Sequence, residues 1–229
     1  SGLPQFDGRG FAVAAADGGR IDQFDADGRH RFSADPWTGA IRRTFSYDPL
    51  GRLRRIADAD DNAVAVERDF DGNPTALVGP FGQRTELSVD RNGYLSRVVN
   101  PAGETWRMSY TADGLLTEFT DPKGQTARFG YNALGRLSTA TDRAGGAQTL
   151  SRADTDNGRR FETVRVSGQG RTTRYRLEQT PAGERRRGVT TPAGLRIETR
   201  QQPDGARTTV APDGTTLTTV QRVGRVSGA

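Results

Sequence analysis

The sequence predicts an all-β chain, an antiparallel β-hairpin meander whose repeats form a curved, spiralling sheet. Three observations carry this. Glycines recur at Gly51, Gly72, Gly93, Gly114 and Gly135, each 21 residues after the last. A second series, Gly82, Gly103, Gly124 and Gly145, keeps that interval about half a repeat away, with Asp61 in its earlier place. Between these points lie short segments in which apolar and polar residues alternate. A fixed period marks a repeat architecture, and alternation rich in Thr, Val and aromatics marks strands.

Residues 1–44 already carry the ladder, with Gly8, Gly18, Gly28 and Gly39 spaced 10, 10 and 11 apart. Short strands are expected at residues 11–14, 21–24 and 30–32. Residues 35–39 form a turn, and Trp37 is expected to cover the sheet end rather than bind a ligand. Ser1-Gly2 reads as a tag-cleavage remnant.

Residues 45–148 hold the clear repeats. Trp106, Met108 and Tyr110 fall on one side of their segment; Ala127, Phe129 and Tyr131 do the same one repeat later. The turns carry Asn92-Gly93, Asp113-Gly114, Pro101-Ala102-Gly103 and Pro122-Lys123-Gly124, where glycine supplies positive φ and proline presets its own φ. Residues 58–62 replace glycine by an Asp/Asn cluster that tolerates the left-handed region. Strands follow at 63–66 and 87–89.

Residues 149–229 keep the ladder in degenerate, Arg- and Thr-rich form. Gly183, Gly194 and Gly205 lie 11 apart, then Gly214 follows. Thr180-Pro181-Ala182-Gly183 returns at residues 191–194, and Pro203-Asp204-Gly205 at 212–214. No segment supports a helix, so residues 1–229 read as one array. About twenty strands at about 4.8 Å each would make a flat sheet on the order of 95 Å wide. Open sheets rarely exceed about ten strands without curling, so the array should curve. Neither terminus shows a cap for its edge strand, and the native chain is expected to continue.

Two stretches, Tyr47-Asp48-Pro49-Leu50-Gly51-Arg52-Leu53 and Tyr131-Asn132-Ala133-Leu134-Gly135-Arg136-Leu137, resemble the YD repeat of the Rhs family. Looser copies are Tyr110-Thr111-Ala112-Asp113-Gly114, Phe70-Asp71-Gly72-Asn73 and Val89-Asp90-Arg91-Asn92-Gly93. The resemblance is strongest over residues 40–148. Asn132 departs from the Asp, and two copies alone keep the full Gly-Arg-Leu. The resemblance makes Tyr47, Asp48, Gly51, Arg52, Leu53, Gly72, Gly93, Tyr110, Gly114, Tyr131, Gly135, Arg136 and Leu137 the structural repeat positions. It implies a β-strip coiled into a hollow shell. In bacterial relatives such a shell encloses a toxic C-terminal domain; in animal relatives it belongs to a cell-surface adhesion protein. Asp121-Pro122-Lys123-Gly124, followed by Gln125, reads as an ordinary turn, and the family's C-terminal core motif is not seen.

The expected function is therefore a non-catalytic shell segment, bacterial and secreted or at the cell surface, around a C-terminal toxin or other cargo polypeptide. Its partners would be that cargo or flanking YD repeats of a longer chain. Wall-facing residues would be Tyr47, Leu53, Trp106, Met108, Tyr110, Phe129 and Tyr131. The alternative is a carbohydrate- or protein-binding adhesion module, with Trp37, Trp106 and Tyr94 exposed to stack glycans. A hydrolase with two convergent carboxylates stands third.

Composition narrows the chemistry. The absence of cysteine removes disulfides and thiolate chemistry. No apolar run approaches the 18 or so residues of a membrane helix, and this chain shows no secretory signal. Lys123 is the one lysine among 33 basic residues; a GC-rich genome explains this, and bidentate arginine recognition is the alternative. His30, the one histidine, reads as a sheet-lining side chain without a serine partner. No metal, phosphate loop or cofactor is expected. The Asp clusters at residues 25–28, 58–61, 69–72 and 154–157 read as turn chemistry, with weak calcium binding as the alternative.

Charge is uneven. Residues 1–149 carry 18 basic and 20 acidic side chains, whereas residues 150–229 carry 15 and 8. Tyr175 alone is placed to stack a base beside Arg171, Arg174, Arg176 and the Arg185-Arg186-Arg187 run. Nucleic acid is therefore disfavoured. A solvated strand face is the plain reading, and a basic lining that meets an acidic partner or cargo is the alternative.

Overall fold

The computed structural model describes residues 10–220. Gly8 and Ser1-Gly2 lie outside the described residues. The fold is all-β and antiparallel, as the sequence predicts, with twenty strands among the described residues. The one helical segment there is a single 3₁₀ turn, Asp156–Gly158. The chain divides into two compact units, residues 1–114 with 120–124 and residues 115–119 with 125–229.

The first unit runs through β1 (Phe11–Ala14), β2 (Ile21–Phe24), β3 (His30–Ala34), β4 (Ile41–Tyr47) and β5 (Leu53–Asp58). It continues with β6 (Ala63–Arg68), β7 (Pro74–Val78), β8 (Arg84–Val89), β9 (Leu95–Val99) and β10 (Thr105–Tyr110). Each strand pairs with the next. After β11 (Leu116–Thr120), the second unit carries β12 (Thr126–Tyr131), β13 (Leu137–Thr141), β14 (Ala147–Thr155), β15 (Arg160–Ser167) and β16 (Thr172–Gln179). Then come β17 (Arg185–Thr190), β18 (Arg196–Gln201), β19 (Arg207–Val210) and β20 (Thr216–Thr219). From β12 onward each strand again pairs with its successor.

The turns share one construction. Gly51 N–H donates to the Asp48 carbonyl at 2.9 Å, and Asp48 N–H donates to the Arg52 carbonyl at 2.9 Å. Gly51 has φ of 77°. This is a type I turn closed by a left-handed residue, the usual three-residue hairpin loop. Asp61 fills the same place with φ of 64°, as its neighbourhood in sequence suggests.

One feature escapes a simple alternation count. Tyr47 pairs with Leu53 and Ser46 with Arg55, so Arg54 is an extra, bulged residue. By the same register Thr75, Ser96 and Ser138 are bulged. Arithmetic explains them. The repeat is an odd 21 residues, and side chains alternate faces with period two. Without a bulge, equivalent residues would change face at every repeat. One extra residue per repeat restores them to the same face, and each bulge also adds local right-handed twist. The bulged hydroxyls find partners: Ser96 Oγ donates to the Ser88 carbonyl and Ser138 Oγ to the Gly130 carbonyl, both at 3.1 Å.

The buried apolar residues are small: Ala34, Ala57, Ala76, Val99 and Ala140. Among the described residues no large side chain is fully buried. Tyr47, Leu53, Trp106, Met108, Tyr110, Phe129 and Tyr131 are half-buried, while Arg107, Ser109 and Arg128 are exposed. Each unit is thus held by backbone pairing and rows of neighbouring side chains. One such row stacks Phe11, Phe24, His30 and Phe45, with ring centroids 5.0, 4.9 and 3.9 Å apart in turn.

Candidate functional site

The repeat residues form a joint between hairpins. Tyr47 Oη donates to the His30 carbonyl at 3.0 Å, Tyr110 Oη to that of Leu95 at 2.9 Å, and Tyr131 Oη to that of Leu116 at 2.8 Å. Each phenol satisfies a carbonyl 15–17 residues upstream. Arg68 stands 21 residues after Tyr47 and donates to the Leu53 carbonyl at 3.2 Å. Arginine therefore does the tyrosine's work in that repeat. This corrects the alignment of Phe70-Asp71 with Tyr-Asp. Phe70 lies at the turn tip, fully exposed, and the capping carboxylate is Asp69, which accepts Asn73 N–H at 2.8 Å. Replacing Tyr131 by Phe should cost about 1 kcal/mol in chemical denaturation, because it leaves the Leu116 carbonyl without that donor.

The acidic residue closes the turn. Asp48 Oδ1 accepts the N–H groups of Leu50 and Arg52 at 3.0 and 2.8 Å, and Oδ2 takes Arg52 Nε at 2.7 Å. Asn132 Oδ1 accepts from Leu134 and Arg136, both at 3.0 Å. The amide oxygen does the same job, which is why Asn can stand in the Asp position. Asp48→Asn should therefore be nearly neutral, whereas Asp48→Ala should lose about 1 kcal/mol by analogy with a lost helix cap; thermal melts of the two variants check this. The supposed calcium clusters are built the same way. Asp25 accepts from Asp27 and Arg29, and Asp58 from Asp60 and Asn62. Asp154 instead pairs with Arg152 and Arg136.

These bonds hold the carboxylates in their ionised form. Asp48 sits below its usual 3.8 chiefly through Arg52 N–H, and Asp58 and Asp69 through the side chains of Asn62 and Asn73. Asp35 falls to about 2, first through the N–H groups of Trp37 and Thr38 and then Arg42. A lowered folded-state pKa gives stability that is present above the unfolded value and lost as pH falls through the folded one. The melting temperature should accordingly drop as pH goes from about 4 to 2. An acid-independent melt across that window would contradict the role of these turns.

The residue after each turn glycine reaches the next glycine of the series. A Cβ on Gly72 would collide with the Arg52 guanidinium, and one on Gly51 with that of Arg29. A Cβ on Gly114 would lie 2.8 Å from the Tyr94 ring, and one on Gly135 would touch Leu115 at 3.6 Å. Gly93 has open space. Arg136 pairs with Asp154, and Leu137 sits opposite Tyr131 with its side chain exposed.

Two expectations need correction. Trp37 covers nothing: it is 89% exposed at the tip of the β3–β4 turn, where Asp35 holds its N–H. His30 does have a serine neighbour, Ser33 Oγ at 3.1 Å, with Asp22 Oδ1 at 3.4 Å. The bulge at Arg31 brings residues 30 and 33 to one face, which simple alternation would separate. Both groups meet the same ring nitrogen, Nε2, and the Ser33 hydroxyl donates to Asp22 at 2.7 Å. A nucleophilic relay needs the acid and the serine on opposite ring nitrogens. This cluster instead ties β2 to β3 beneath the aromatic stack, and His30 lines the sheet as expected.

The second unit also contains an open cleft of about 960 Å³. Its floor is Ala127, Phe129 and Ala140, and Arg143, Arg165 and Arg171 stand around it. Register explains the grouping: Phe129 faces Ala140, Ala140 faces Gln148, and Gln148 faces Ser167, two residues beyond Arg165.

Hairpins joined by a tyrosine, an Asx-closed turn and a glycine ladder define a YD-repeat sheet of the shell type. The Teneurin YD-shell family model matches residues 8–221, and the chain belongs to that family. It is 31% identical to human (Homo sapiens) Teneurin-1 over 87 residues, 38% of this chain and 3% of that protein. It is 35% identical to mouse (Mus musculus) Teneurin-4 over 79 residues, 33% of this chain and 3% of that protein. The chain thus spans a small fraction of the curated relatives it matches. Among solved structures, TcdB2-TccC3 without its hypervariable C-terminal region aligns over 90% of this chain and 12% of that one. The identity is 15% and the TM-score 0.38. Family membership rests on the sequence match.

Proposed function

We propose that this shell segment is non-catalytic and that the shell it helps to build encloses a cargo polypeptide, such as a C-terminal toxin, in a secreted or cell-surface protein. The observation that carries this is the uncovered half-buried face. In each unit the strands form hairpin rows with no large side chain fully buried among the described residues, and aromatics line one face. A bulge recurring with the repeat adds twist in one sense, which suits a sheet that coils around a lumen. The wall is supplied by backbone pairing, and the face offers weak contacts over a large area.

An immunoblot of the source organism with antibody to this segment tests the reading. A native product several times the 24.8 kDa of this chain is expected. A product of this chain's own mass would leave too few strands to enclose a cargo and would contradict it.

A surface-binding role has one observation in its favour. Trp37, Leu50, Phe70 and Phe81 are strongly exposed at turn tips, which suits a protein surface. Tyr94 and Trp106 are half-buried, and Tyr94 packs on Tyr110 at 5.3 Å, so the three aromatics do not make one open glycan platform. Alanine at the four tips should abolish capture of a surface partner if this role is the true one and leave a shell function untouched.

A further inference from the structure

We propose that the cleft over β12, β13 and β15 seats an acidic, apolar-studded segment of polypeptide. The proposal rests on the shell reading only for the source of that segment, the enclosed chain. Three arginines surround the cleft, Arg143 from the β13–β14 turn, Arg165 from β15 and Arg171 from the β15–β16 turn. All three are exposed residues. Arg165 makes one long hydrogen bond, 3.4 Å to Thr173 Oγ1. The single carboxylate lining the cleft, Asp142, spends Oδ1 on the N–H groups of Ala144 and Gly146 at 2.8 and 2.9 Å. The cleft therefore presents a surplus of guanidinium groups, whose planar forks match carboxylates.

The floor decides between acidic partners. Ala127, Phe129 and Ala140 offer an apolar patch with one ring. Nucleic acid asks for successive aromatic platforms along a basic groove, and these are missing from the cleft. An extended peptide places alternate side chains on opposite sides, so leucine or phenylalanine can rest on the floor while neighbouring glutamates or aspartates reach the arginines. The volume lies within the usual range for ligand clefts, about 300–1,000 Å³, and suits a few residues. The surrounding segment adds long-range attraction, because residues 150–229 carry 15 basic against 8 acidic side chains.

Fluorescence anisotropy with the 229-residue chain tests this, using a labelled peptide that alternates Glu with Leu and Phe. Binding at low salt is expected. Arg165→Glu with Arg171→Glu should weaken it about tenfold or more, and Arg171→Glu alone severalfold, with an unchanged circular dichroism spectrum. Arg200→Glu with Arg207→Glu makes the same change in net charge away from the cleft and should alter binding less than about threefold. No binding, equal loss in both double variants, or equal binding of a Lys-for-Glu peptide would overturn the proposal. So would equal binding of an all-Glu peptide or of a single-stranded oligonucleotide. None of these failures changes the native mass that tests the shell, so the two readings fall separately.

Discussion

Gly114→Ala is expected to lower stability by about 2–5 kcal/mol, against about 1–2 kcal/mol for Gly93→Ala. Both glycines close equivalent turns one repeat apart, with φ of 89° and 84°. Each therefore carries the left-handed penalty for a Cβ. They differ in their neighbours. Gly93 has nothing within reach of a new methyl group, whereas at Gly114 three atoms of the Tyr94 ring stand 2.8 Å away. That ring is rigid and packed on Tyr110, so it cannot fold aside as the Arg52 tip over Gly72 can. Urea denaturation of both single variants and of Gly114→Ala in a Tyr94→Ala background checks the argument. In that background the cost should fall to the Gly93 value, a coupling measurable by a double-mutant cycle. Equal costs at the two glycines would show that the repeat contact carries no energy.

Ala76→Leu should cost about 1–3 kcal/mol by overpacking, although it adds apolar surface to a poorly covered sheet. Ala76 is 0% exposed. It lies in β7 between Glu67 of β6 and Glu86 of β8. Arg84 of β8 reaches across β7 to Glu67 at 2.6 Å, so this ion pair roofs the alanine. A leucine would drive the pair apart. The pair is exposed and contributes little itself, so Arg84→Ala should shift the melt by under about 1 kcal/mol and should relieve much of the Ala76→Leu penalty. A stabilised Ala76→Leu variant would mean that the roof is open and that the strand has room.

The strands and turns were legible because each rests on local chemistry. A glycine with positive φ, an Asx acceptor two and four residues before its N–H donors, and alternating side chains all lie within a dozen residues. The joints between repeats were less so. Arg68 replaces tyrosine because a guanidinium can also reach a carbonyl, which a search for aromatics cannot find. Phe70 drew the eye to the wrong register for the same reason. The bulges were legible in principle from the odd period, and missing them hid the meeting of His30 with Ser33. Trp37 was misjudged because burial of a turn residue depends on what lies beyond the turn. The basic cleft could not be read at all. It gathers residues from β12, β13, β15 and two turns, and pairing register alone decides that they share a face.

Cryo-electron microscopy of the full native polypeptide tests the central claim most directly. The account predicts a hollow particle whose wall is one strand layer thick, with this segment in the wall and polypeptide density inside the lumen. An open sheet, or a particle without a lumen, would contradict it.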